Sequence, residues 1–308
     1  MANDGPLRLL IISDIHCIGV SRLAFSRLAG DVKSTKEVQA GLGAALARFR
    51  GRADHVLFAG DFTENGKPHQ YDAVLEVLAQ YGPEWFCAIP GNHDTANVNN
   101  IESWNGRMRR FKQLMEPYLP GFPGERGAKE YFPYVRRLRC DFALMGLDTT
   151  LARTAQGRLG EPQLALIDEF LNGDEYARMH KIILMHHDAV GQAKLFNGFE
   201  IHYGNILLDA ADFLDILKKH EASERAKPAP RRLTVISGHT HLKRIDTESI
   251  PGVTFMTAPG FGSRFEEDFL AVELYPDGSF AEFGGQAPRG KSRMLRKYVK
   301  YIVPKIHT

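Results

Sequence analysis

The chain has 308 residues, 44% of them hydrophobic and 25% charged, with a formal charge of +2 at pH 7. That is material for one large globular domain or two small ones, and its balance excludes a nucleic-acid binder working through overall positive charge. Three scattered cysteines, Cys17, Cys87 and Cys140, without a CxxC pair argue against a disulfide framework or a cysteine zinc site.

In chain order, the opening MANDGPLRLLIISDIH has no basic leader, and Asp14 cuts its apolar run. No signal peptide is therefore expected. No uncharged apolar run reaches the roughly 20 residues that span a bilayer, so the expected location is cytoplasmic. LRLLIISDIH reads as a buried strand, followed by helical spacing at Val38, Leu42, Ala45, Leu46 and Phe49. HVLFAGD is a second strand and Tyr71, Val74, Leu75 and Leu78 a second helix; WFCAIPGNHD is a third strand, with Gly91 expected to let the chain bend away. Residues 97 to 118 carry Trp104, Arg107, Arg109 and Arg110, either a helical wall whose Arg clamps an anion or a solvated basic face.

Leu164, Ile167 and Leu171 mark another helix, and KIILMHHD another strand. FNGFEIHYGN then offers Phe196, Phe199, His202 and Tyr203, which could cover a nucleobase or serve as packing. Phe213, Leu214 and Leu217 are helical, Glu224 to Arg232 is linker-like, and LTVISGHTH is a strand. VTFMTAPGF and FLAVELYPDGSFAEF, turning at Pro276-Asp277-Gly278, complete the same domain with strands. The alternation is that of an α/β protein. The reading is one domain over 1–288 and a basic amphipathic tail over 289–308, RGKSRMLRKYVKYIVPKIHT, either docked on the domain or touching an anionic membrane surface.

Five apolar runs end in Asp, Asn or His. Ligands in open α/β sheets bind beyond the carboxyl ends of the strands, which makes these residues one candidate site. Together they supply two carboxylates (Asp14, Asp61), one amide (Asn92) and four imidazoles (His16, His186, His239, His241). The pairs Asp14/His16 and His239/His241 are two residues apart, a spacing that in extended chain puts both side chains on one face. A mixed nitrogen and oxygen set suits Mn, Fe, Zn or Co better than Ca or Mg. Seven donors exceed the needs of one tetrahedral ion, and two ions sharing a carboxylate serve in-line displacement at phosphorus. Two divalent cations against two carboxylates and a bridging hydroxide leave a single positive surplus, suited to an anionic transition state.

SDIH at 13–16, GD at 60–61, GNHD at 91–94, the lone His186 and GHTH at 238–241 are similar to the ordered motifs of the calcineurin-like metallophosphoesterase superfamily. The resemblance implies a four-layer αββα sandwich with a dinuclear metal centre at the strand ends. By it, Asp14, His16 and His241 hold one ion, Asn92, His186 and His239 the other, and Asp61 bridges them. His93 resembles the family's non-ligand histidine, which contacts phosphate and protonates the leaving oxygen. Glu64 stands where relatives often orient that histidine, with Asp94 as the rival; His187 and Asp188 are either orienters of the metal-bound imidazoles or solvated loop residues.

GDFTENG lacks the Arg of protein phosphatases and puts Glu64 in the purple acid phosphatases' tyrosine slot. The layout is closest to the bacterial cyclic-nucleotide phosphodiesterase branch. The resemblance thus implies a phosphodiesterase in which a metal-bridging hydroxide attacks phosphorus in line, acting on a small phosphate ester such as a nucleotide. Rival readings are pyrophosphate cleavage in a nucleotide-linked lipid precursor at the membrane surface, a DNA-repair nuclease, and a non-catalytic scaffold of the same fold. Oligomeric state has no sequence signal.

Overall fold

The computed structural model describes residues 5–19, 34–95, 104–119, 132–190, 194–196, 199–201, 207–227, 230–262 and 269–284. The first apolar run forms β1 (Leu7–Ile12), flanked in parallel by β2 (His55–Phe58), which pairs in parallel with β3 (Phe86–Ala88). On the other side of β1 lie the antiparallel strands β12 (Leu270–Leu274) and β13 (Phe280–Glu282), giving the order β13-β12-β1-β2-β3. The second sheet is built from β4 (Tyr134–Arg139), β5 (Phe142–Gly146), β6 (His180–Leu184), β9 (Leu233–Ser237), β10 (Arg244–Asp246) and β11 (Val253–Thr257), in the order β10-β11-β9-β6-β5-β4. Strands β5, β6, β9 and β11 are mutually parallel, as buried α/β strands are. A small hairpin, β7 (Lys194–Phe196) and β8 (Phe199–Ile201), stands apart.

Helices α1 (Thr35–Phe49), α2 (Pro68–Leu78) and, beyond the four-residue α3 (Asn92–Thr95), α4 (Trp104–Met115) belong to the first sheet's side, α5 (Gly160–Asn172) and α6 (Ala210–Arg225) to the second's. α1 starts where Ser34 caps it and Glu37 returns the bond to the Ser34 amide. α2 starts at Pro68, whose missing N–H costs nothing in the first turn. Alternate residues of the second sheet face opposite ways: Ile182, Leu184 and Ile236 join the core shared with the first sheet, while Ile183 and Val235 pack toward α5 and α6 with Phe170 and Phe213. The result is the αββα sandwich.

Two features differ from the sequence reading. WFCAIPGNHD holds only a three-residue strand, because the chain leaves the sheet early to build the site. The hairpin of β4 and β5 is absent from the sequence reading: Arg136, Arg137 and Arg139 break the apolar pattern of β4, whereas β5 is a short, wholly apolar run, FALMG. Those charges belong to an edge. Tyr134 Oη donates to Ala88 O at 3.0 Å and Arg136 Nη1 to Phe86 O at 2.9 Å, so side chains from β4 satisfy carbonyls on the free edge of β3. No helix among the described residues is long and apolar enough to cross a membrane. His202, Tyr203 and the 289–308 tail lie outside the described residues.

Candidate metal centre

The candidate donors sit where parallel strands of the two sheets end facing each other: Asp14 and His16 after β1, Asp61 after β2, Asn92 after β3, His186 after β6, His239 and His241 after β9. The backbone there is not extended. Asp14, His16, Asp61, His239 and His241 adopt φ of 57°, 50°, 54°, 69° and 57°, and they are five of the six non-glycine residues with positive φ among the described ones. The two-residue spacing therefore works differently from the extended-chain argument: each pair is two left-handed residues separated by one. Left-handed backbone is costly for a residue with a Cβ and persists where the surroundings over-determine it, typically at functional sites. Asp14 N bonds Gly60 O and His16 N bonds Asp61 O, both at 3.0 Å, so each loop props the next.

Gly91 is outside the left-handed region; a side chain there would come 2.1 Å from Asp61 Oδ1. Its role is room rather than the bend expected of it. Gly60, at φ 95°, serves both ends, and a Cβ on it would meet His186 Nδ1 at 2.6 Å.

The side chains converge. His241 Nε2 lies 3.2 Å from Asp14 Oδ1 and 3.1 Å from His16 Nε2. Asp61 Oδ2 stands between the two groups, 3.7 Å from His16 Nε2 and 3.3 Å from His186 Nε2. His186 Nε2 is 3.1 Å from Asn92 Oδ1 and 3.2 Å from His239 Nδ1, while its Nδ1 donates to Ala59 O at 2.7 Å. Asp14, His16 and His241 offer one donor atom each within 4.8 Å of one another, as do Asp14, Asp61 and His186.

The electrostatics call for cations. Burial alone would raise the Asp14 and Asp61 carboxyls, yet the imidazoles around them (His241 and His16 for Asp14, His186 and His93 for Asp61) hold both low. Burial opposes charge on His16 and His186 too. Nevertheless Asp14 and Glu64 raise His16 to about 10, and Asp61 raises His186 to about 9. His239 goes the other way, down to about 3, through burial and the neighbouring His186. Asp14 Oδ1 and His239 Nε2 are buried without a hydrogen bond, an arrangement that is expensive unless something else binds there. Facing imidazole nitrogens, two carboxylates and orphaned donor atoms fit a divalent cation pair.

Around the donors, Glu64 divides its labour. Its carboxylate Oε2 is 3.0 Å from His16 Nδ1, while its backbone carbonyl accepts from His93 Nδ1 at 3.0 Å; Oε2 to His93 Nδ1 is 3.5 Å. Asp94 does not orient His93 among the described residues. Its carboxylate accepts from the amides of Phe62, Thr63 and Gly91, from Thr63 Oγ1 and from Tyr71 Oη. His187 is buried, flanked by His186 and His239 at ring distances of 5.0 and 4.5 Å, with Nε2 on Ala155 O and Nδ1 on Thr149 Oγ1. Asp188 binds Arg244 at 2.7 Å and the Val190 amide at 3.0 Å; neither residue is a solvated loop position. In α4, Arg107 is buried, Arg110 donates to Gly66 O at 2.6 Å, and Arg109 is exposed.

Sequence reasoning missed Thr63, Tyr71 and Thr149. Thr63 falls inside GDFTENG and Tyr71 on the apolar stripe of α2, but neither pattern assigns a site role, and the partners of all three lie 23 to 38 positions away.

Fold and site together define a metal-dependent phosphoester hydrolase, and the comparisons with known proteins agree. Residues 7–243 match the calcineurin-like phosphoesterase family, and the chain belongs to that family, whose members depend on dinuclear metal sites. A protein of Synechococcus sp. named "probable cyclic nucleotide phosphodiesterase" is 24% identical over 242 residues, 74% of each chain. One of Arcobacter nitrofigilis named "probable glycerophosphodiester phosphodiesterase" is 23% identical over 281 residues, covering 90% of this chain and 84% of the relative. The crystal structure of a dimetal phosphatase from Danio rerio superposes with a TM-score of 0.61 at 15% identity, covering 91% of this chain and 99% of that one, and so shares the fold.

Proposed function

We propose that the chain is a phosphodiesterase using two divalent ions of the Mn, Fe or Zn type. One is held by Asp14, His16 and His241, the other by Asn92, His186 and His239, with Asp61 between them. When bound, such a pair supplies Lewis-acid polarisation of the phosphoryl group and generates a nucleophile from water at neutral pH.

The protein's own residues do the rest. Glu64 holds His16 by its carboxylate and His93 by its carbonyl, so both imidazoles are oriented from one residue. With Nδ1–H given to the carbonyl oxygen, His93 keeps Nε2 for a substrate oxygen; its side chain is 37% exposed, the most open imidazole of the group. As the imidazolium, with both ring nitrogens protonated, it gives its Nε2 proton to the leaving oxygen and is left as the neutral Nδ1–H imidazole.

The observation that carries the reading is the charge at the centre. Among the described residues, every ion pair of Asp14, Asp61 and Glu64 is with a histidine, and none is with Arg or Lys. A centre left for metal cations in this way suits the anionic transition state of phosphoester hydrolysis. The two curated relatives are both named for diesters, which supports the diester class. The substrate classes to compare are therefore cyclic nucleotides and glycerophosphodiesters.

The test is a matched assay of Mn2+-loaded protein on bis-p-nitrophenyl phosphate and p-nitrophenyl phosphate. Higher kcat/KM on the diester is expected. A monoester preference, or undiminished turnover in an Asp61→Ala, Asn92→Ala double variant, sinks the reading.

A further inference from the structure

Three backbone amides, those of Phe62, Thr63 and Gly91, converge on the Asp94 carboxylate, at 3.2, 3.0 and 3.1 Å from its oxygens. Converging amides of this kind make an anion nest. Here the nest is filled by the chain's own carboxylate rather than left for a substrate phosphate. Two of the three amides neighbour a proposed ligand: Phe62 follows Asp61, and Gly91 precedes Asn92. Asp94 is wholly buried and spans the two loops.

Its Oδ1 takes two further bonds, from Thr63 Oγ1 at 2.9 Å and from Tyr71 Oη at 3.2 Å. Thr63 Oγ1 in turn accepts from the Gly66 amide at 2.9 Å, and Thr63 forms a bridge with Cys17 in the loop that carries His16. Tyr71 is different in kind. It comes from α2, a rigid element outside the loops, and its ring packs against Phe111 of α4.

We infer that Tyr71 and Thr63 are positioning residues: through Asp94 they lock the loops after β2 and β3, and so hold Asp61, Asn92 and His93 in place for turnover. This rests on the ligand and His93 roles given above. The physical reason is the backbone of Asp61, at φ 54°. A left-handed aspartate relaxes unless the amides after it are held, and a relaxed Asp61 no longer sits between His16 and His186.

The test uses full-length Tyr71→Phe, Thr63→Val and Thr63→Ser. Under saturating Mn2+ with bis-p-nitrophenyl phosphate, kcat falls roughly tenfold in the first two, while KM stays near wild type and Thr63→Ser retains kcat. Mn2+ affinity, read by electron paramagnetic resonance of the free ion and so without turnover, weakens in the same two. A core variant remote from the site, Phe213→Leu, controls for stability.

The inference is overturned if Tyr71→Phe keeps wild-type kcat and Mn2+ affinity. It is equally overturned if Phe213→Leu, at a matched drop in Tm, reproduces the same losses. Should wild-type protein not cleave the diester, the phosphodiesterase reading fails by itself, and the Mn2+ arm still decides this one.

Discussion

The two ends of β6 carry buried ionisable groups, but only at the carboxyl end is a buried imidazole raised rather than lowered, and even there the neighbouring His239 falls. At the carboxyl end, His186 is fully buried yet raised to about 9, because Asp61 overcomes the burial that disfavours its charge. At the amino end, burial wins: His180 falls to about 3, Lys181 to about 8, and nearby His220 on α6 to about 4. Lys181 Nζ is buried with no hydrogen bond, and Glu224, the carboxylate that favours its charge, is bound to Lys227 and the Arg231 amide. Burial of polar groups thus does not define a site. What separates the ends is whether carboxylates are left to attract positive charge, as Asp14 and Asp61 are.

Substitutions at the carboxyl end should be drastic. Asp61→Ala is expected to reduce turnover to background and to remove Mn2+ binding by calorimetry; retained binding would break the comparison. His93→Ala should lower kcat by roughly 10²- to 10⁴-fold with two Mn2+ still bound per chain, because its Nδ1 is held by the Glu64 carbonyl. Glu64→Gln, which weakens the acceptor on His16 Nδ1, should reduce Mn2+ affinity by about tenfold or more.

The amino end should show itself in stability alone. His180 has a depressed folded pKa, so its contribution is complete above its unfolded value of 6.5 and is lost as pH falls toward about 3. Tm measured from pH 7 to pH 4 should accordingly fall less steeply in His180→Phe than in wild type, and an unchanged slope would remove His180 from the argument. Lys181→Met, replacing a buried ammonium by an apolar chain, should raise stability by about 1 kcal/mol in chemical denaturation and leave kcat alone.

Much of this was legible beforehand, for a physical reason. Strands covered on both faces must be apolar throughout, so Asp14, Asp61, Asn92, His186 and His239 stood out as polar residues closing such runs. Strand β4 escaped because an edge strand tolerates arginines. Asp94 and Glu64 were singled out as acids near His93, but which atom each would bind depends on loops that meet only after folding; the Glu64 contact to His93 is made chiefly by its backbone carbonyl, which no side-chain pattern encodes.

The sequence by itself therefore determined the donor chemistry, the motif order and the α/β class, since these depend on residue type and hydrophobic periodicity, while the four-layer arrangement followed from the family resemblance of its motifs. Only the tertiary structure decided that five donors take left-handed backbone, that Gly91 gives room to Asp61, and that Asp94 fills a nest tied to Tyr71. Those outcomes rest on bonds between segments 23 to 32 residues apart and, for His239 on Asp14, 225 apart, and local patterns carry no information across such spans.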